Sequence, residues 1–180
     1  RFTFAARKPM MKITMVLGMF PSFMGMIAVY LLMTQFNLIN HLWGLILIYS
    51  AGAPMGYLTQ KGFFDTIPKA IDEAARIDGS KEWHTFNRII LPIMKPAVAT
   101  QAIFQFIAQW NNLFTPTILL TTDSKKTLPM FVQLLSSNQF RTDYGVVYVG
   151  LFVTIIPLVV VYLVLSKYIV AGVALGGVKG

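Results

Sequence analysis

Four stretches of this chain are apolar for about as long as a bilayer-crossing helix requires, and polar or charged segments separate them. They lie at residues 13–33, 38–58, 97–120 and 146–165. A hydrocarbon core of roughly 30 Å takes about 20 apolar residues of helix. A backbone in lipid must also satisfy its own hydrogen bonds, which a helix does. The pattern therefore predicts an all-α, polytopic transmembrane helical bundle. Only a few polar residues near Phe36-Asn37 separate the first two stretches, which are expected to form a tight helical hairpin. The segment at 121–145 is polar, with a turn at Asp123-Ser124-Lys125-Lys126 and a short helix expected at 128–135 on the membrane surface. Pro54, Pro116 and Pro157 fall inside or at the edges of the stretches, where kinks are expected.

Composition sharpens this picture. The chain is 56% hydrophobic and only 12% charged, with a mean hydropathy of +0.63, whereas soluble domains carry about 25% charged residues. A core of this size cannot bury so much apolar surface, so lipid must cover the remainder. There are no cysteines, and the two histidines, His41 and His84, are far apart and near no other ligand pattern. Disulfides and thiolate metal sites are thereby excluded, and no metal or cofactor is expected.

The net charge of +8 is spread in a way that argues for membrane topology rather than nucleic acid. Arg1, Arg7, Lys8 and Lys12 precede the first stretch, and Lys61, Lys69, Arg76, Lys81, Arg88 and Lys95 fill the segment after the second. Lys167 and Lys179 follow the fourth, while only Lys125, Lys126 and Arg141 fall on the opposite side. Cytoplasmic loops carry the excess of lysine and arginine. The segment 59–96 and the tail 166–180 are therefore expected in the cytoplasm.

Within 59–96, Thr66 ahead of Ile67-Pro68 predicts an N-cap with proline in the first turn. A helix to about Ile77 and a left-handed stop at Gly79 follow. Ser80 is expected to cap a second helix from Lys81 to about Ile90, ending before Pro92 because proline disfavours helix in the residue ahead of it. Ile67, Ile71 and Ala74 would share one face of the first helix, with Ala70 and Ala75 beside them. Trp83, Phe86, Asn87 and Ile90 would line a face of the second.

The run Glu73-Ala74-Ala75-Arg76-Ile77-Asp78-Gly79, followed by Phe86, Ile89, Leu91-Pro92 and Pro96, resembles the EAA signature of permease subunits of ATP-binding-cassette (ABC) importers. The likeness extends to Phe106-Ile107-Ala108-Gln109-Trp110-Asn111, Thr127-Leu128-Pro129, Ile156-Pro157, and the glycine-rich ending with Gly172, Gly176-Gly177 and Val178-Lys179-Gly180. Together these are most similar to the carbohydrate-uptake branch, of MalG type. The resemblance implies a MetI/MalG-like permease fold over 1–180, with four spans present of a probable six and the chain a C-terminal part. It implies a bacterial inner-membrane protein whose loop 59–96 meets a cytoplasmic ATPase dimer. A second permease subunit and an extracytoplasmic sugar-binding protein would complete the assembly.

On that resemblance Glu73 docks in a cleft of the ATPase, Ala74 and Ala75 allow close approach, and Asp78, Gly79, Phe86, Leu91 and Pro92 complete the coupling element. The tail 176–180 either enters the ATPase interface or is a flexible end. A plainer reading leaves Glu73 solvated, or paired with Arg76 as Asp72 would be. The chain has no G-x-x-x-x-G-K-[ST] phosphate loop, so hydrolysis is assigned to the partner and no catalytic residue is expected here.

For the translocation path, Gln101, Gln105 and Asn112 fall within about 40° of one another on a helix, with Gln109 a further 40° round and Phe104 alongside. Amides are unfavourable against lipid, so this stripe should face the bundle interior or a water-filled path. Such amides suit a polyhydroxylated neutral cargo, or they bond neighbouring helices and never meet it. No ionisable residue lies deep in a span, which argues against an ion-coupled transporter. The expected function is the permease subunit of an ATP-driven sugar or oligosaccharide importer working by alternating access. The rivals are an importer of the same architecture for glycerol phosphate, a polyol or a polyamine, and an ATP-independent channel or scaffold.

Overall fold

The structure, a computed structural model, describes residues 5–51, 54–137 and 143–176. Among the described residues all regular structure is helical. The order is α1 (Arg7–Met19), a 3-10 turn (Ser22–Gly25), α2 (Met26–Gln35), α3 (Leu42–Ser50), α4 (Pro54–Thr66) and α5 (Lys69–Ile77). Next come α6 (Glu82–Thr85), a π-turn (Phe86–Ile90) and α7 (Leu91–Trp110), then α8 (Phe114–Leu119), α9 (Leu128–Ser136) and α10 (Tyr144–Gly176).

Among the described residues two helices are long and apolar enough to cross a membrane, Glu82–Trp110 and Tyr144–Lys167, and a third span is available if Arg7–Met19 and Phe23–Gln35 count together. Four continuous spans were expected. The first is broken because Phe20 precedes Pro21: Phe20 is pushed to an extended conformation (φ −76°, ψ 128°), and the two halves meet at a bend of 89°. The second divides into α3 and α4, with Pro54 opening the new helix. The third ends at Trp110 rather than 120, the chain restarting as the short α8. The fourth is continuous through Pro157.

The chain forms two compact units, one from Arg1–Pro54 with Phe106–Val160, the other from Met55–Gln105 with Val161–Gly180. In the first, α2 stops in a Schellman turn: Asn37 is left-handed (φ +54°), its N–H bonds Thr34 O at 3.1 Å, and Leu38 N–H bonds Met33 O at 2.8 Å. The turn expected at 36–37 is present, though the two spans it was expected to join are each broken. The core of this unit gathers Met26, Leu45, Leu119, Leu120 and Met130, with Val29, Met33 and Ile118 packed around them.

Asn40, also left-handed (φ +59°), ties the hairpin turn to the segment 119–125. Its side chain donates to Thr122 Oγ1 (2.6 Å) and accepts from Thr121 N–H (3.2 Å) and Thr122 N–H (3.1 Å). Its backbone donates to Leu119 O (2.7 Å) and accepts from Lys125 Nζ (2.6 Å). Trp110 donates from Nε1 to Thr154 O (3.0 Å), beside the Val153 carbonyl that Pro157 deprives of a helical partner. The expected helix at 128–135 is α9. On α10, Val149, Phe152, Ile155, Val159 and Leu163 are exposed, the surface a lipid-facing helix presents.

In the second unit, Ile67, Ile90 and Met94 are buried together, with Phe63, Phe64, Ile71 and Ile93 packed against them. This cluster holds α5 and the turns around it to the base of α7.

Candidate functional site

The signature residues fall on a helix-turn-helix whose second arm runs on into a span. Pro68, not Thr66, immediately precedes α5, and Thr66 Oγ1 instead donates to Phe63 O (2.7 Å) at the end of α4. α5 ends where expected. Gly79 is left-handed (φ +77°) and exposed, its N–H bonds Arg76 O (3.1 Å), and Ser80 N–H bonds Ala75 O (2.9 Å), a complete Schellman motif. Glycine takes this conformation at no steric cost, and that sets the direction of the chain beyond Asp78.

Ser80 does not cap the next helix. Lys81 precedes α6 without a side-chain cap, and Ser80 Oγ accepts a hydrogen bond from Thr85 Oγ1 at 2.9 Å. The expected stop before Pro92 is also absent. The π-turn Phe86–Ile90, closed by Leu91 N–H to Phe86 O, takes up one extra residue, and the helix continues into α7. A widened turn just ahead of a proline relieves the clash of its ring with the carbonyl one turn back. The result is one helix from Glu82 to Trp110, so the signature loop is joined to the span by unbroken helix.

The buried face of α5 also differs from expectation. Ile67, Ile71 and Ala75 point inward, Ala75 being 4% exposed, while Ala70, Glu73, Ala74, Asp78 and Gly79 are exposed. The spacing i, i+4, i+8 selects Ala75 rather than Ala74 because the anchoring cluster sits on that side. The Glu73 carboxylate makes no hydrogen bond or ion pair among the described residues, with Arg76 or otherwise. Ile77 is 86% exposed and Trp83 75% exposed, Trp83 standing 6.1 Å from the Phe86 ring, so three apolar side chains flank the carboxylate helix in the open. Of the other signature residues, Leu91 and Pro92 are exposed at the start of α7, and Ile90 between them and Phe86 is buried.

The amide stripe is partly as expected. Gln101, Gln105 and Gln109 share the continuous α7, all half-buried, and Phe104 is exposed. Asn112 lies past the end of that helix, so its helical-wheel position does not apply. Its Oδ1 accepts from Thr115 N–H (3.1 Å), capping the first turn of α8. Gln101 packs onto Gly56 of α4, where an added Cβ would lie 3.0 Å from Nε2. One turn further along α4, Gln60 donates from Nε2 to Ala97 O at 2.9 Å, and its Oε1 is buried without a partner among the described residues. Sequence reasoning missed Gln60 and Asn40. Gln60 sits one turn after a glycine in a helix, a faint signal of close helix approach, while nothing local distinguishes Asn40 from other turn residues.

A family model described as "Binding-protein-dependent transport system inner membrane component" matches residues 1–174. The chain belongs to this family. Among similar proteins of this kind, the maltodextrin transport system permease protein MdxG of Bacillus subtilis is 33% identical, covering 100% of this chain and 65% of its own length. The galactooligosaccharides permease protein GanQ of Bacillus subtilis is 34% identical, covering 100% and 64%. MalG of Vibrio vulnificus, a maltose/maltodextrin permease protein, is 30% identical, covering 100% and 62%. A crystal structure of a bacterial ABC transporter involved in import of the acidic polysaccharide alginate superposes with a TM-score of 0.78 at 25% identity, covering 93% of this chain and 64% of that one. The chain thus spans less than two thirds of the length of these relatives. It is an inner membrane component by family, all regular structure among its described residues is helical, and the expected resemblance to carbohydrate-uptake permeases holds. The expected tail contact at 176–180 lies outside the described residues, apart from Gly176.

Proposed function

We propose that this chain is the membrane-spanning part of an ATP-driven importer for neutral sugars or oligosaccharides, and that α5 with the turn after it is its contact with a cytoplasmic ATPase. The observation that carries the reading is the two-faced α5. One face is fastened by Ile67, Ile71 and Ala75, while Glu73 with Ala70 and Ala74 stands exposed on the other. A short helix that must sink into a cleft needs small side chains for close approach and a charge to set its register, and these residues supply both.

The unbroken helix from Glu82 to Trp110 supports the mechanical step. A pull on the loop reaches the span as a rigid-body movement instead of being absorbed by a flexible joint. The proposed assembly has two ATPase copies, a second permease and an extracytoplasmic binding protein, with the loop and tail cytoplasmic by the distribution of lysine and arginine. ATP hydrolysis belongs to the partner. Carbohydrate cargo is supported by relatives whose names specify maltodextrin and galactooligosaccharides, and by the uncharged stripe Gln101, Phe104, Gln105 and Gln109. Alternating access is the mode of transport this arrangement serves.

The test is affinity purification of the full-length protein from its host in mild detergent, for the parent and for Glu73→Ala and Gly79→Pro. The parent is expected to bring down an ATPase and a second permease. Both variants are expected to reach the membrane but to lose the ATPase and coupled uptake. Retention of the ATPase with normal uptake by both would remove α5 from the coupling role.

A further inference from the structure

Where α4 meets α7 in the second unit, two glutamine side chains leave hydrogen-bonding capacity unused among the described residues. Gln60 donates to Ala97 O at 2.9 Å. That contact fixes the orientation of its amide, because only the NH2 end can face a carbonyl. Its Oε1 is buried with no donor among the described residues. The side chain of Gln101, four residues beyond Ala97 on α7, makes no hydrogen bond among the described residues. Its Nε2 lies over Gly56, four residues before Gln60 on α4. A buried acceptor without a donor among the described residues and a half-buried amide with no protein partner among them thus occupy the same helix pair, one turn apart.

Leaving a buried amide oxygen unmatched is destabilising, and an apolar side chain of similar volume at 60 would avoid it. A glutamine there makes physical sense if a second arrangement completes its bonding. A shift of α4 along α7 smaller than one helical turn, joined to a rotamer change of Gln101, brings Gln101 Nε2 to Gln60 Oε1 while the Ile67–Ile90–Met94 cluster is kept. Gly56 leaves room for it: any side chain there would press on the Gln101 amide.

We propose that Gln60 and Gln101 are positioning residues for transport, whose amides join when α4 moves against α7 during the change of access. The proposal rests on the importer reading above. α4 leads directly into α5, and the Ile67–Ile90–Met94 cluster lies between this crossing and the exposed Glu73 face. The pair would hold the displaced state, while the Gln60–Ala97 bond holds the state described here.

The test uses the full-length protein with its co-purified partners in nanodiscs, measuring ATP turnover without cargo together with thermal unfolding. The variants are Gln60→Met, Gln101→Met and the double variant. Gln101→Met loses no bond in the described state and is expected to melt like the parent. Its maximal turnover should nevertheless fall about fivefold to tenfold, the effect of one hydrogen bond present only in the displaced state. Gln60→Met loses one bond in each state, so its turnover should change less than that of Gln101→Met, and the double variant should match Gln60→Met because Gln101 then has no partner left to lose. Unchanged cargo-free turnover in Gln101→Met would overturn the proposal and leave that residue as packing or as a cargo contact. Multiplying effects in the double variant would overturn it as well. If Gln60→Met fails to assemble, Gln101→Met decides alone. Glu73→Ala, run alongside, separates the two levels: its turnover should be lost if the loop couples, and normal turnover there would sink the coupling reading whatever the glutamines do.

Discussion

Asn40 offers the most direct check of the tertiary structure, since one side chain bonds three groups more than 80 positions away in sequence. Asn40→Ala removes the bonds to Thr122 Oγ1, Thr121 N–H and Thr122 N–H, at 2.6, 3.2 and 3.1 Å. A protein hydrogen bond contributes about 0.5–1.5 kcal/mol net, and these are exposed, so about 2 kcal/mol is a fair total. The backbone at 40 is left-handed, φ +59°, where alanine adds about 1 kcal/mol of strain that asparagine tolerates better. Local opening of the 119–125 segment should therefore become easier by about 3 kcal/mol, on the order of a hundredfold. Hydrogen exchange at the Thr121 and Thr122 amides measures this, in the full-length protein in detergent. Asn40→Gly should be milder, losing the bonds without the strain. Asn40→Asp should be mildest, because its carboxylate still accepts from both amides. Exchange in Asn40→Ala within about threefold of the parent, or Asn40→Asp as fast as Asn40→Ala, would refute the reasoning.

Two further outcomes are expected. A Cβ at Gly44 would lie 2.6 Å from Leu38 O, a backbone atom that cannot swing aside. Gly44→Ala should destabilise by about 1–3 kcal/mol, whereas Gly62→Ala, in helix α4 with nothing within 4 Å, should stabilise by about 0.5–1 kcal/mol; thermal unfolding of the pair reads both signs. Asp123 is bonded to Lys126 at 2.7 Å, and that hydrogen bond and the ammonium charge hold its carboxyl below the usual carboxylate range. A depressed folded value means the pair's contribution is complete above the ordinary carboxylate range and is lost as pH falls through the lowered value. Asp123→Asn should therefore flatten the acid limb of exchange protection in the 121–126 turn and leave neutral pH almost unaffected; an unchanged acid limb would show that the pair does not hold the turn.

Much of this protein was legible in the residues alone. Apolar content is a sum over neighbours, so the membrane class and the helical character of the chain needed no tertiary information. The turn at Gly79 was equally local, because a glycine after a helix of the right length admits the left-handed residue that few others do. The signature around Glu73 also declared itself, since its residues lie close together on one helix and turn.

What the sequence left open were competitions that packing settles. Pro21 broke the first apolar stretch, whereas Pro92, Pro96 and Pro157 were absorbed into continuous helices. The difference is whether the surrounding turn can widen and rebond, as the π-turn before Pro92 does. Ala75 and not Ala74 turned inward because Ile90 and Met94 form the anchoring surface, and no spacing within α5 contains that information. Asn112 left the amide stripe because the helix ended two residues earlier and its side chain was needed to cap the next one. Asn40 and Gln60 act on partners 37 or more positions away. A hydrogen bond depends on two groups meeting in space, so only the folded chain could assign those roles.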